Sequence, residues 1–105
     1  MAFNNYYLLL KEKDKVIFTL NCLIENTGLK EIYLVIPATY EEVINEYKKI
    51  KDKKIKLIIL NDYFALGYND ILSKYLRVNS SNIISIEALF NTYYVIKSKN
   101  SNYVY

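Results

Sequence analysis

Histidine is absent from this sequence, and cysteine occurs once, as Cys22. Histidine is the commonest metal ligand and the side chain that titrates closest to neutral pH, so its absence argues against most catalytic and metal sites. A lone cysteine forms neither an internal disulfide nor a zinc cluster. The two glycines, Gly28 and Gly67, lie far apart, so the chain lacks a glycine-rich phosphate-binding loop. The sequence therefore predicts a non-catalytic protein without a metal or a cofactor.

Paired catalytic carboxylates are also missing. Asp62 follows a predicted strand, where an aspartate usually hydrogen-bonds the backbone of its own turn. Glu41 and Glu42 fall in the first turn of a predicted helix, where carboxylates stabilise the helix dipole. Cys22 lies beside the apolar face of another predicted helix and is expected to pack there. An enzyme that uses Asp62 with a metal ion is a third hypothesis, which lacks convergent partner residues.

Long apolar runs are absent as well. No stretch approaches the roughly 20 residues that a membrane span needs, and the start of the chain lacks the zones of a signal peptide. We therefore expect a cytoplasmic protein that does not enter a membrane. Of the 105 residues, 52 % are hydrophobic and 24 % are charged, which is the balance of a globular domain. We expect one domain over residues 1–97, followed by a frayed polar tail over residues 98–105.

The positive charge is small in total but concentrated in one segment. The net charge is +3, and Arg77 is the only arginine among 14 cationic residues, which does not favour bidentate recognition of phosphate or guanine. Six lysines fall between Lys48 and Lys56, with Asp52 as the one acidic residue among them. Such a run attracts phosphate groups. It is also compatible with a solvated helix end whose cations complement the dipole, and both interpretations stay open.

The first half of the chain predicts helices around a buried strand. Residues 4–13 fit either a short helix or a strand. Apolar residues recur at helical spacing over 16–27, and Gly28 supplies the left-handed residue that ends many helices. The continuous apolar run 31–36 predicts a central strand covered on both faces, broken by Pro37. Thr39 and Glu42 then have the spacing of a capping box that starts the next helix.

The second half repeats the alternation of strand and helix. The predicted elements are a strand over 55–60, a helix carrying Ile71, Leu72, Tyr75 and Leu76, a turn at 79–82, a strand over 83–86, and a helix carrying Leu89, Tyr93 and Ile96. Such alternation predicts parallel strands joined by helical crossovers. The fold class is therefore α/β, a single three-layer αβα sandwich with a mostly parallel sheet of about four strands. Its ligand-binding edge lies beyond the carboxyl ends of the strands, at 37–39 and 61–63.

Several strings follow the order of a known family. They are YYLLLKEKDKVIFT, LKEIYLVIPA, TYEEVINEYKKIKDKK and IKLIIL, and then Ala65-Leu66-Gly67 followed by Lys74-Tyr75-Leu76-Arg77-Val78. Over residues 5–97 the chain resembles the kink-turn RNA-binding ribosomal protein family of the large subunit, most closely its bacterial YlxQ-like branch. The resemblance implies an αβα sandwich that binds structured RNA, with ribosomal RNA as the candidate. The RNA-binding residues that it implies are Lys15, Thr19, Asn21, Ala38, Thr39, Tyr63, Leu66 and Gly67, with Asn21 on a base edge and Lys15 on a phosphate.

Two functions from different classes follow. The first is a ribosome-associated RNA-binding protein without catalysis. The second is a small protein-interaction or regulatory module with a Rossmann-like or flavodoxin-like fold, of viral or mobile-element type. The second function predicts an apolar interface, for which the candidate residues are Tyr93, Tyr94, Tyr103 and Tyr105. We expect a monomer or a weak homodimer in either case.

Overall fold

The computed structural model describes residues 4–61 and 80–104, which form four helices, three strands and one 3₁₀ turn. The elements in chain order are α1 (Asn4–Lys11), α2 (Lys13–Thr27), β1 (Ile32–Pro37), α3 (Glu41–Tyr47), β2 (Ile55–Leu60), the 3₁₀ turn (Ser80–Asn82), β3 (Ile83–Ile84) and α4 (Ile86–Val104). Among these residues, no helix is long and apolar enough to cross a membrane.

β1 is the central strand of a small parallel sheet, as its continuous apolar run predicts. It pairs along its whole length with β2, from Ile32 opposite Ile55 to Pro37 opposite Leu60. On its other side it pairs with β3 through Tyr33 and Leu34. The strand order is β2-β1-β3, and both pairs are parallel. The α/β character of the chain is therefore present in the described residues, with three strands where about four were expected.

The two faces of the sheet belong to different apolar clusters. Alternate residues of β1, namely Ile32, Leu34 and Ile36, join buried residues from all four helices in the larger cluster. Val35, between them, belongs to a smaller cluster with Ile58 of β2 and Ile83 of β3. This division follows from the two-residue period of a strand. The described helices thus share one core with one face of the sheet.

A buried tyrosine joins the end of α1 to α3. The Tyr47 hydroxyl donates a hydrogen bond of 2.7 Å to the carbonyl of Leu9, and Tyr47 is only 2 % exposed. Carbonyl groups in the last turn of a helix have no partner within the helix, so this bond satisfies one of them. Nearby, the Lys13 ammonium donates to the carbonyl of Glu46 over 2.8 Å. Burial raises the pKa of Tyr47 far above its ordinary value, which keeps the hydroxyl protonated.

The first two helices show that the start of the chain, for which periodicity allowed a helix or a strand, is helical. Residues 4–11 are helical, and α2 begins at Lys13, three residues before the predicted start. α2 ends as predicted at Gly28, whose φ of 73° is left-handed and whose N–H donates to the carbonyl of Ile24.

The predicted capping box at Thr39 is wrong. The N-cap of α3 is Tyr40, and no side chain caps this end of the helix. Pro37 is the last residue of β1 rather than a break before its end, and the Tyr40 N–H donates to the Pro37 carbonyl over 3.0 Å. This tight turn places the first helical residue at Glu41, so Thr39 lies one position too early to cap. Glu41 and Glu42 occupy the first turn, as predicted.

The predicted strand over 83–86 is too long. β3 contains only Ile83 and Ile84, because Ser85 starts a helix instead. The Ser85 hydroxyl oxygen accepts the N–H of Ala88 over 3.1 Å, and the Ser85 carbonyl accepts the N–H of Leu89. The residues expected to be a frayed tail from Ser98 are helical as far as Val104, while the domain boundary at 97 stays a prediction. The predicted helix with Ile71, Leu72, Tyr75 and Leu76 lies outside the described residues.

Candidate functional site

The three α2 residues predicted to bind RNA do not form one surface. Thr19 is fully buried, and its hydroxyl donates to the carbonyl of Lys15 over 2.8 Å, so its side chain is not available to a partner. Asn21 is half-buried and donates to the carbonyl of Ile17 over 3.1 Å. Lys15 is exposed. At about 1.5 Å and about 100° per helical residue, Lys15 and Asn21 are separated by roughly 9 Å along α2 and roughly 120° around it.

The loop after β1 holds two more predicted residues. Ala38 is half-buried and its N–H donates to the carbonyl of Leu60 over 2.7 Å, whereas Thr39 is exposed. Within residues 4–61 and 80–104, no hydrogen bond or ion pair connects this loop to Lys15 or Asn21. The remaining predicted residues, Tyr63, Leu66 and Gly67, lie outside the described residues, as does Asp62. The structure therefore does not gather the RNA-binding set that the resemblance implies.

A different cationic surface forms where the strands begin. We call it the lysine edge; it consists of Lys30, Lys48, Lys49, Lys51, Lys53, Lys54 and Lys56. α3 ends at Tyr47, and residues 48–54 form the loop that leads into β2. Lys30 lies just before β1. The N–H of Ile32 donates to the carbonyl of Lys54 over 2.7 Å, which holds the segments that lead into β1 and β2 side by side. All seven lysines are exposed.

The loop of the lysine edge is held by its own backbone. The Asp52 carboxylate accepts the N–H of Lys54 over 3.0 Å, and the Asp52 carbonyl accepts the N–H of Ile55 over 3.2 Å. An aspartate that bonds its own turn in this way fixes the chain direction. Ile50 packs against the larger core and anchors the middle of the loop. The lysine side chains between these fixed points are therefore directed to solvent from an ordered turn.

Few carboxylates offset the charge of the lysine edge. Lys49 lies 2.9 Å from Glu46, and Lys56 lies 3.9 Å from Glu31. Hydrogen bonding to Lys49, with a smaller contribution from Lys13, lowers the pKa of Glu46. The other lysines of the loop have no ion pair within the described part of the chain; they are Lys48, Lys51, Lys53 and Lys54. Exposed ion pairs are weak, so the net field of this surface stays positive.

A helix dipole explains only part of this surface. Cations complement the dipole within the last turn of a helix or just beyond it. α3 ends at Tyr47, so Lys48 and Lys49 fit that role. Lys51, Lys53 and Lys54 follow the helix by four residues or more, and Lys56 lies within β2. The interpretation as a solvated helix end therefore leaves most of the lysines without a structural reason.

A groove between helices shares no residue with the lysine edge. It has a volume of about 210 Å³, and the residues that line it come from α1, α2, the junction between them and α4. They are Leu8, Glu12, Lys15, Val16, Phe90, Tyr93, Tyr94 and Lys97. Hydrogen bonding to Glu12, together with the smaller effect of Tyr93, raises the pKa of Lys15. The residues of this groove are far apart in the chain, so no local sequence pattern indicates it.

Of the candidate interface tyrosines, Tyr93 is half-buried and Tyr94 is exposed. The rings of Tyr93 and Tyr94 lie 5.4 Å apart, and Tyr94 and Val95 are 52 % and 56 % exposed. The other two candidate interface residues, the Tyr103 side chain and Tyr105, lie outside the described part. Cys22 is a half-buried free thiol, and no metal-binding group of three or more carboxylate or thiol side chains occurs among the described residues.

Comparison of the chain with family models, with curated proteins and with solved structures finds no match.

Proposed function

We propose that this protein is a non-catalytic RNA-binding protein and that its lysine edge binds the phosphate backbone. One observation carries the proposal: four exposed lysines without an ion pair in the described part of the chain lie within the seven residues from Lys48 to Lys54. A fixed turn presents them together with Lys30 and Lys56. A local cluster of cations on an ordered loop attracts the phosphate groups of a nucleic-acid backbone.

The chemistry of lysine sets the type of binding. Ammonium groups contact phosphates as point charges, and phosphate contacts position a protein without reading sequence. Binding should therefore depend little on RNA sequence and strongly on salt. Four phosphate contacts on a single strand would weaken binding roughly 50-fold between 50 and 200 mM salt, since each contact contributes about 0.7 to the logarithmic slope.

From the resemblance to the kink-turn ribosomal proteins, this proposal keeps RNA as the partner but not the full set of contact residues. Because Thr19 is buried and Asn21 lies on another side of α2 from Lys15, we place the main RNA contact on the lysine edge rather than on α2. A cytoplasmic protein that associates with ribosomal RNA through backbone contacts fits this arrangement. Recognition of a kink-turn by the predicted residues becomes an outcome of the test.

The test compares two variants with equal changes in net charge. The edge variant replaces Lys48, Lys51, Lys53 and Lys54 by Gln, and the control variant replaces Lys11, Lys15, Lys97 and Lys99 by Gln. All eight lysines are exposed, so both variants should fold. We expect filter binding of a hairpin RNA at low salt to fall at least tenfold in the edge variant and less than threefold in the control.

The opposite results have clear meanings. Loss of binding in the control variant alone would place the RNA on the surface that carries Lys11, Lys15, Lys97 and Lys99. Absence of RNA binding by the wild-type protein at low salt would refute the proposed function.

A second function is favoured by the topology of the sheet. The order β2-β1-β3 with parallel pairs is the order in which flavodoxin-like sheets begin. A protein-interaction or regulatory module with this fold would use an exposed apolar surface, and Tyr94 and Val95 on α4 supply one. Sedimentation equilibrium of the wild-type protein and of a Tyr94→Ser, Val95→Ser variant tests it. A wild-type dimer that the variant abolishes supports this function, and a wild-type monomer argues against self-association.

We also propose the complete form of the fold, a three-layer αβα sandwich with about four strands. The smaller cluster supports a covered second face, since Val35 and Ile83 are 1 % and 5 % exposed. Hydrogen exchange of the β2 and β3 amides would test the fourth strand, because an added neighbour protects the N–H groups on the outer edge of the strand that it pairs with.

A further inference from the structure

The groove between α1, α2 and α4 has a buried apolar floor. Val16 of α2 and Phe90 of α4 are 2 % and 6 % exposed, and Leu8 of α1 adds a half-buried side chain. α2 packs along α4, whereas α1 ends at Lys11 and a single residue, Glu12, separates it from α2. Glu12 leaves the helical conformation, with φ −110° and ψ 34°, and residues on both sides of this junction line the groove.

The rim of the groove carries more positive than negative charge. Glu12 and Lys15 neutralise each other across 3.4 Å. Lys97 also lines the groove, and it has no ion pair within the described part of the chain. The groove lies beside the first turn of α2, where Asp14 offsets the positive field of the helix dipole, so the excess positive charge is that of Lys97. An anionic group is therefore favoured near Lys97.

Two tyrosines form one wall of the groove. The rings of Tyr93 and Tyr94 lie 5.4 Å apart with a tilt of 57°, and both line the cavity. Aromatic side chains hold flat rings through offset or edge contacts, and a tyrosine hydroxyl adds a hydrogen bond. A flat apolar group thus fits beside these tyrosines.

We propose that this groove is a binding site for a small aromatic carboxylate. The ring lies on Val16 and Phe90 beside the tyrosines, and the carboxylate accepts hydrogen bonds from the Lys97 ammonium. The volume of about 210 Å³ is below the roughly 300–1,000 Å³ of sites for drug-sized ligands, which limits the ligand to one or two rings. The site is separate from the lysine edge, so it stands independently of the proposed RNA binding.

The test uses benzoate as the probe and benzamide as its neutral counterpart of equal shape. Nuclear magnetic resonance of the Leu8 and Val16 methyl groups reports on the groove directly. We expect benzoate to shift both signals at millimolar concentration and to bind about tenfold more tightly than benzamide, because a charge-assisted hydrogen bond is stronger than a neutral one.

Two lysines of α4 provide the matched variants. Lys97→Gln removes the cation of the groove, and Lys99→Gln removes an exposed cation two residues further along that does not line it. We expect about a tenfold loss of benzoate affinity in the first variant and none in the second. Absence of methyl shifts with benzoate, equal affinity for benzoate and benzamide, or equal effects of the two substitutions would each overturn the proposal.

Discussion

Replacement of Tyr47 by phenylalanine isolates one buried hydrogen bond. The ring of Tyr47 is 2 % exposed, and its hydroxyl donates to the carbonyl of Leu9 over 2.7 Å. Tyr47→Phe keeps the packing and leaves that buried carbonyl without its partner. A buried acceptor left unpaired costs about 1–3 kcal/mol, so the free energy of unfolding at pH 7 should fall by that amount. Urea unfolding followed by circular dichroism measures it, and Tyr7→Phe, whose ring is 59 % exposed, is the control.

The same variant should reverse its effect in alkali. Burial raises the pKa of Tyr47 above its ordinary value of 10.0, so the unfolded chain loses this proton first. The stability that the neutral hydroxyl supplies is complete below pH 10 and falls by about 1.4 kcal/mol per pH unit above it. Tyr47→Phe lacks this loss, so the two stabilities should meet between about pH 11 and pH 12. A stability gap that does not change between pH 7 and pH 11 would refute the reasoning.

Three further substitutions test other parts of the account. Thr19→Val removes a buried hydroxyl and should lower the unfolding free energy by about 1 kcal/mol without changing RNA affinity in filter binding. Weaker RNA binding at unchanged stability would contradict the buried position of Thr19. Gly28→Ala places a side chain at a φ of 73° with no atom within 4 Å, so backbone strain alone should lower the unfolding free energy in urea by about 1–2 kcal/mol. Gly28→Asn should lower it less. An alanine variant as stable as the wild type would exclude the left-handed cap. Glu46→Gln should destabilise the protein near pH 7 but not in strong acid. Because the pKa of Glu46 is lowered in the folded protein, the stability that its carboxylate supplies is present above pH 4.5 and is lost as the pH falls through the folded pKa. A difference in unfolding midpoint between the two proteins that widens in acid would contradict this.

The parts of the fold that were predictable depend on short-range patterns. The apolar run that became β1 predicts a central strand because only a strand buried on both faces tolerates it. Gly28 ends α2 because glycine adopts the left-handed conformation of a helix C-cap whatever its tertiary contacts are. The bounds of β2, Ile55–Leu60, also match the strand predicted over 55–60.

The helix starts show where short-range patterns fail. Thr39 and Glu42 have the spacing of a capping box, but the turn after Pro37 moved the start of α3 to Glu41. Ser85 does cap α4, although the isoleucines around it suggested a longer strand. Both outcomes depend on where the preceding strand ends, which is set by pairing between strands rather than by the local sequence.

The candidate surfaces show the same contrast between what a local sequence pattern predicts and what only the tertiary fold determines. The lysine run was visible in the sequence, but its separation from the helix end was not, because α3 proved to be only seven residues long. The burial of Thr19 follows from the packing of α2 in the core, which a motif comparison does not report. The groove combines Lys15 with Lys97, residues that only the tertiary fold brings together.

The salt dependence of RNA binding tests the central proposal most directly. Dissociation constants for a single-stranded RNA are measured between 50 and 200 mM salt for the wild-type protein, the edge variant and the control variant. If Lys48, Lys51, Lys53 and Lys54 each contact a phosphate, the logarithmic slope of the edge variant should be smaller by about 3, and that of the control should match the wild type. Equal slopes for the wild-type protein and the edge variant would contradict the proposal that the lysine edge binds RNA.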